Sequence, residues 1–285
     1  MMLNRRRNRR KHRRPQSASL GRLVPNALTV AALSSGLTAV RFAYEGSWNA
    51  AIVAILVAAI LDGLDGRMAR LLRATSEFGA ELDSLSDVIA FGVAPAMILY
   101  FWSLDGPGSA AWVVALFYVV CVALRLARYN TDQDKPSYAY NYFTGIPSPA
   151  GAILVLLPLV ISREIGNDLV GNPLFISGWM ALIGVLMVTH IPTFAIRSQR
   201  IPNRYVLPLL AAVGLISAGL AERPWWTITL GSVVYLVSIP LSYWSFKRLE
   251  AKVAQAEAES TETPQATTDD PQATADGPVP LRKHK

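Results

Sequence analysis

Long apolar runs separated by short polar connections dominate the chain from residue 25 onward. Eight of them approach the length needed to cross the roughly 30 Å hydrocarbon core of a bilayer. They cover about 25–44, 48–65, 82–102, 110–129, 147–163, 173–193, 204–221 and 225–246. The fifth is short and opens on Pro147 and Pro149, which suit a helix's first turn, with Arg163 able to snorkel at its far end. The pattern predicts an all-α, polytopic membrane protein of about eight transmembrane helices. A transmembrane domain at 21–248 is flanked by a basic arm at 1–20 and a polar tail at 249–285. The tail is rich in Ala, Glu, Gln, Thr, Asp and Pro without apolar period, a composition expected to stay disordered, like the arm.

Composition sharpens this picture. Hydrophobic residues make up 52% of the 285 and charged residues only 16%, against about 25% charged in soluble domains. The first 14 residues hold eight Lys/Arg and supply most of the net charge of +7. A nucleic-acid-binding arm is one reading of that run. An anchor on anionic lipid explains it better, at about 1 kcal/mol per basic residue near the surface, so no nucleic-acid partner is expected. The arm lacks a small-residue cleavage site and does not read as a signal peptide. The lone Cys121 excludes an internal disulfide, and with only His12, His190 and His284 a His/Cys zinc site is close to excluded.

Basic residues also set an orientation. Arg67, Arg70 and Arg73 share one side with Arg125, Arg128 and Lys135, with Arg197, Arg200 and Arg204, and with Lys247, Arg248 and Lys252. The opposite connections show only Arg41, Arg163 and Arg223. Both termini are therefore expected on the cytoplasmic side of the inner membrane.

Against this apolar background, residues 62–87 read D-x-x-D-G-x-x-A-R, then eight residues, then G-x-x-x-D-x-x-x-D. Asp62 and Asp65 are three apart and Asp83 and Asp87 four apart, so each pair shares a helical face. Asp65 and Asp83 would stand about 27 Å apart on one unbroken helix, too far for one site. A turn is expected between them, with Arg73–Gly79 the place for it, folding four carboxylates toward one point. Each would cost roughly 2.5–3.5 kcal/mol at a bilayer centre, and a divalent cation, or a pair, removes the conflict. All-oxygen ligation favours Mg²⁺ or Mn²⁺. Gly66 and Gly79 let a bulky ligand approach the backbone, Ala69 keeps that face low, and Arg70 offers a planar fork for phosphate. The bland alternative, a solvated helix-turn-helix with scattered acids, does not explain these spacings.

This stretch resembles the signature of the CDP-alcohol phosphotransferases, membrane enzymes of phospholipid synthesis, at every fixed position. Two further stretches, R-L-A-R-Y-N at 125–130 and F-T-G-I-P-S-P-A at 143–150, are similar to those of the membrane-embedded phosphatidylserine synthases within that family. The resemblance covers about residues 20–245. It implies a six-helix core plus two further spans, a homodimer, CDP-diacylglycerol as donor, an alcohol as acceptor and CMP as product. It further implies that Asp62, Asp65 and Asp83 are metal ligands and that Asp87 is both a ligand and the general base. Gly66, Ala69, Arg70 and Gly79 would line the CDP site. Pro25-Asn26-Ala27-Leu28-Thr29 is an ordinary helix entry that also resembles a family stretch beside the nucleotide, which adds Asn26 and Thr29.

An L-serine acceptor is a zwitterion whose carboxylate needs a cation, and Arg125 or Arg128 is the expected partner, with Arg204 or Arg197 behind them. Positive-inside anchoring is the plainer account of the same arginines. Glycerol 3-phosphate, inositol phosphate or choline would keep the chemistry and change the acceptor; Tyr129, Tyr140, Tyr142 and Phe143 would suit a choline cage. From another class, intramembrane carboxylates can serve cation transport, but transporters favour midplane charges in repeated halves, and no repeat is visible. Gly92 and Pro95 are expected to set a close helix contact and a kink.

Overall fold

The computed structural model describes residues 20–104, 109–131, 142–166, 170–189, 192–194 and 206–262. Arg197 and Arg204, Tyr140 and the basic arm lie outside them. Helix α1 is Leu20–Tyr44 and α2 is Trp48–Leu71. The third span runs as α3 (Glu77–Asp87), a π-helical turn at Val88–Val93, α4 (Ala94–Leu99) and a second π-helical turn at Tyr100–Leu104. Then follow α5 (Ser109–Thr131), α6 (Ser148–Val155), α7 (Leu157–Ile165), α8 (Pro173–Val188), α9 (Val206–Glu222) and α10 (Pro224–Glu262). Among the described residues the regular structure is helical apart from one antiparallel pairing of two three-residue strands. Strand β1 (Tyr142–Thr144) pairs with β2 (Pro192–Phe194) in the register Phe143 to Thr193.

Six helical stretches among the described residues are long and apolar enough to cross a membrane, so this is an integral membrane protein. The expected count of eight is not reached on that measure. Pro173–Val188 has 16 residues and Val206–Glu222 has 17, about 24 and 26 Å of helix. The predicted span at 173–193 ends early because Pro192 disfavours helical backbone before it and residues 192–194 pair as a strand. At the other end of the chain α10 continues to Glu262, well past residue 248.

In lipid there is little hydrophobic gain from joining two apolar helices, so close packing of small residues carries the association. Helix α1 crosses the third span where a Cβ on Gly36 would fall 2.7 Å from Ala90 Cα. Gly92 meets Val122 of α5, where an added Cβ would come within 3.3 Å of the valine. Upstream of Pro95 the helix widens into the π turn at 88–93, where proline removes a backbone donor from the ladder. Gly184 of α8 packs on Cys121 and Phe117 of α5. The interior is apolar, with Phe91, Tyr118, Leu154, Leu159 and Met180 buried. Two of its aromatic polar atoms are tied to backbone: Tyr118 Oη donates to Phe91 O (3.1 Å) and Trp179 Nε1 to Leu154 O (2.9 Å).

Alternating helix direction collects one set of ends. The start of α1, the end of α2, the start of α3, the end of α5, the start of α6 and the end of α8 meet there. Hydrogen bonds from Thr29 to Asp65, Asn130 to Ser84, Arg125 to Ser148 and Arg128 to Val188 cross between them. The opposite end is joined by Ser103 to Gly171 and Arg163 to Asn49.

Candidate active site

Helix α2 ends at Leu71 and α3 begins at Glu77, so the polypeptide turns between the two aspartate pairs. Arg73 takes a left-handed φ of 50°, and Ala74 N bonds back to Ala69 O at 2.8 Å. Ser76 caps α3, its Oγ accepting from Gly79 N at 3.0 Å, a type of contact worth about 1 kcal/mol. The turn brings the last turns of α2 beside the first turns of α3.

Asp62, Asp83 and Asp87 each offer a carboxylate oxygen within 4.8 Å of the others, and the Asp62 and Asp87 side chains lie within hydrogen-bonding reach of one another. Asp65 is outside that trio but borders it, close enough for its charge to act on Asp62 and Asp83. It is buried, and its Oδ2 accepts from Thr29 Oγ1 at 2.6 Å. Three of the four expected carboxylates thus converge, while the fourth is held by α1 alongside them.

The donor set fits a hard divalent cation. All its atoms are oxygens, and neither histidine nor cysteine belongs to the group. Asp83 Oδ1 is buried with no hydrogen-bond partner among the described residues. A buried carboxylate oxygen without a partner is costly, and a cation would satisfy it.

Beside the carboxylates lies a cavity of about 170 Å³ lined by Pro25, Asn26, Thr29, Asp65, Gly66, Ala69, Ala74, Thr75, Ser76, Gly79, Ala80 and Asp83. Asp65 and Asp83 border both it and the carboxylate cluster. A Cβ on Gly66 would meet nothing within 4 Å, whereas one on Gly79 would come within 3.1 Å of Asn26 Oδ1 and Ser76 Oγ. Of the residues expected around CDP, Asn26, Thr29, Gly66, Ala69 and Gly79 line this space. Arg70 is exposed and is not among the lining residues. Thr75 and Ser76 were missed by sequence reasoning, although two hydroxyls inside the expected turn were the available signal.

The two arginines of α5 have different surroundings. Arg125 donates from Nη1 to Ser148 Oγ at the start of α6 and feels the charges of Asp87 and Asp62. Arg128 donates from Nη1 to Val188 O, the last carbonyl of α8, at 2.8 Å. Ser148 was also missed; only the fold brings it to Arg125, 23 residues away.

The model of the CDP-alcohol phosphatidyltransferase family matches residues 22–196, and that of CDP-alcohol phosphatidyltransferase 2 matches residues 204–240. Relatives named CDP-diacylglycerol–serine O-phosphatidyltransferase extend the match. The one from Mycobacterium tuberculosis is 41% identical over 223 residues, covering 77% of this chain and 78% of its own. That from Mycobacterium leprae is 38% identical over 232 residues, covering 80% and 77%. That from Helicobacter pylori is 37% identical over 221 residues, covering 75% and 88%. With a carboxylate cluster, an adjoining cavity and a membrane-spanning helical frame all in place, the chain belongs to the CDP-alcohol phosphatidyltransferase family.

Proposed function

We propose that the protein transfers the phosphatidyl group of CDP-diacylglycerol to the hydroxyl of L-serine, giving phosphatidylserine and CMP. The convergence of Asp62, Asp83 and Asp87 beside the cavity carries the reading, and the names of the relatives select the acceptor. The reaction takes place in the 21–248 domain.

In this reading the CDP moiety occupies the cavity between α1, α2 and α3, with the backbone of Gly66 and Gly79 leaving it room and the Thr75 and Ser76 hydroxyls on its wall. Asp62, Asp83 and Asp87, with Asp65 beside them, would hold Mg²⁺ or Mn²⁺, as one ion or a pair. When bound, such cations neutralise the diphosphate and stabilise negative charge on the departing CMP. Asp87 accepts the proton of the serine hydroxyl as the oxygen attacks phosphorus in line. The new O–P bond forms while the anhydride P–O bond to CMP breaks. Thr29 keeps Asp65 oriented from α1. Donor lipid and product remain in the bilayer, and the water-soluble serine and CMP enter and leave on the cytoplasmic side, where both termini also lie. The chain is a homodimer in this reading, as its family resemblance implies.

CMP release by purified protein tests this, with CDP-diacylglycerol and L-serine, glycerol 3-phosphate, inositol phosphate or choline. Release with serine alone is expected, abolished by EDTA and restored by Mn²⁺ or Mg²⁺. Release only with another acceptor would overturn the serine assignment. Activity in full after chelation would overturn the metal role.

A further inference from the structure

Within a helix, a proline withdraws the N–H that the carbonyl four residues earlier would have accepted, and in lipid an unpaired carbonyl is costly. Pro95 withdraws the donor for Phe91 O, and Tyr118 Oη supplies one in its place at 3.1 Å. Pro158 withdraws the donor for Leu154 O, and Trp179 Nε1 supplies one at 2.9 Å. In each case an aromatic side chain from a neighbouring helix, α5 or α8, stands in for the missing backbone group. Tyr118 and Phe91 are both fully buried, which shields their bond from solvent.

The two replacements differ in what lies next to them. Helix α3 ends at Asp87 and passes directly into the π turn at Val88–Val93, with φ −60° and ψ −44° at Asp87. Phe91 is therefore one turn from Asp87 on continuous helix, about 6 Å along its axis. Helix α5 grips that turn at two points. Tyr118 holds the Phe91 carbonyl, and Val122, one helical turn on, packs against Gly92. A π turn holds one residue more than an α turn, so its loss would rotate Asp87 against the rest of the span by about 100°. The direction in which Asp87 projects toward Asp62 and Asp83 thus depends on keeping the π turn. Leu154, by contrast, lies in α6, which contributes none of the four aspartates.

We infer that Tyr118 is a positioning residue for the carboxylate cluster. Its hydroxyl replaces the N–H that Pro95 lacks, keeps the turn at 88–93 in its π form and so fixes Asp87 beside Asp62 and Asp83. It acts through the backbone of the third span, not by contact with the reacting groups. Trp179 makes the same replacement with no bearing on the cluster. The inference rests on the proposed role of the three aspartates in holding Mg²⁺ or Mn²⁺, and it names the side chain that keeps them in register.

The rival role for Tyr118 is stability alone, and Trp179 provides the comparison. Half-saturating Mn²⁺ would be measured on purified full-length protein from the paramagnetic resonance signal of the free ion, beside the melting temperature. Tyr118→Phe deletes one hydroxyl. It is expected to lower the melting temperature and to raise half-saturating Mn²⁺ about 10-fold, as loss of a group that orients a metal ligand does. Trp179→Phe is also expected to lower the melting temperature, with half-saturation within about twofold of wild type because no ligand is tied to Leu154. Pro95→Ala returns the missing N–H, so adding Tyr118→Phe to it should lower the melting temperature less than in wild type. Half-saturation no higher in Tyr118→Phe than in Trp179→Phe would overturn the positioning role. An equal fall in melting temperature with and without Pro95→Ala would sink the exchange of donors between the two residues. Should Tyr118→Phe alone not fold, folding of the double variant supports the inference and its failure to fold overturns it. Wild type that takes up no Mn²⁺ would instead overturn the metal reading of the aspartates, and the positioning role with it.

Discussion

The two sides of the carboxylate cluster are built in opposite ways. On the donor side, Asp62, Asp65, Gly66, Ala69, Gly79, Asp83 and Asp87 come from a single hairpin, α2 and α3, with the turn at 72–76 between them. On the other side, Arg125 and Ser148 come from helices separated by a connection, and Arg128 is tied to α8, 60 residues on. The donor side is local in sequence, set by two adjacent helices and the turn between them. The other side exists only after α5, α6 and α8 have packed. The aspartates thus sit on local geometry, whereas Arg125 and Ser148 meet only across an interface between elements. An interface can change partners without disturbing the carboxylates.

The largest expected effect lies on the donor side. Asp87→Asn preserves shape and removes the proposed base, so kcat for CMP release should fall about 10²- to 10⁴-fold while the protein stays folded. Retention of more than a tenth of the activity would show that Asp87 is not the base and that the two sides are less distinct than described. Next is the frame beneath both sides. Gly36→Val drives a branched side chain into Ala90, where even a Cβ would lie 2.7 Å from the backbone Cα. Overpacking of this kind costs about 1–3 kcal/mol, read as a fall in the melting temperature of the detergent-solubilised protein. An unchanged melting temperature would mean that α1 and the third span can separate without loss. The smallest effect is at Arg128. Arg128→Gln removes one hydrogen bond to Val188 O, about 0.5–1.5 kcal/mol of stability, and serine KM should stay within about twofold of wild type. A large rise in serine KM there would make Arg128 an acceptor contact.

How much could be read beforehand follows the same division. The two aspartate pairs needed only helical periodicity, and the turn between them followed from the length a straight helix would span. Burial of Asp65 against Thr29 was beyond that reading, because it depends on α1 lying alongside α2, with the partners 36 positions apart. Arg125 and Arg128 are one helical turn apart on α5, and their spacing alone gave them equal claims. The start of α6 and the end of α8 separated them. Arg70 was placed by motif beside phosphate, yet it lies on an exposed face of α2. The eighth-span count relied on apolar run length, which does not register that β2 takes residues 192–194 out of the helix.

By itself the sequence determined the membrane-spanning helical class and the acidic hairpin. Each depends on residue type and on spacing within one or two elements, where backbone geometry leaves few alternatives. The tertiary structure decided that three carboxylates cluster while Asp65 turns to Thr29, that the turn's hydroxyls border a cavity, and that Arg125 and Arg128 take different partners, Ser148 and the Val188 carbonyl. Those outcomes depend on which helix faces touch, and in a membrane that is set by small residues such as Gly36, Gly92 and Gly184 meeting partners far away in the chain.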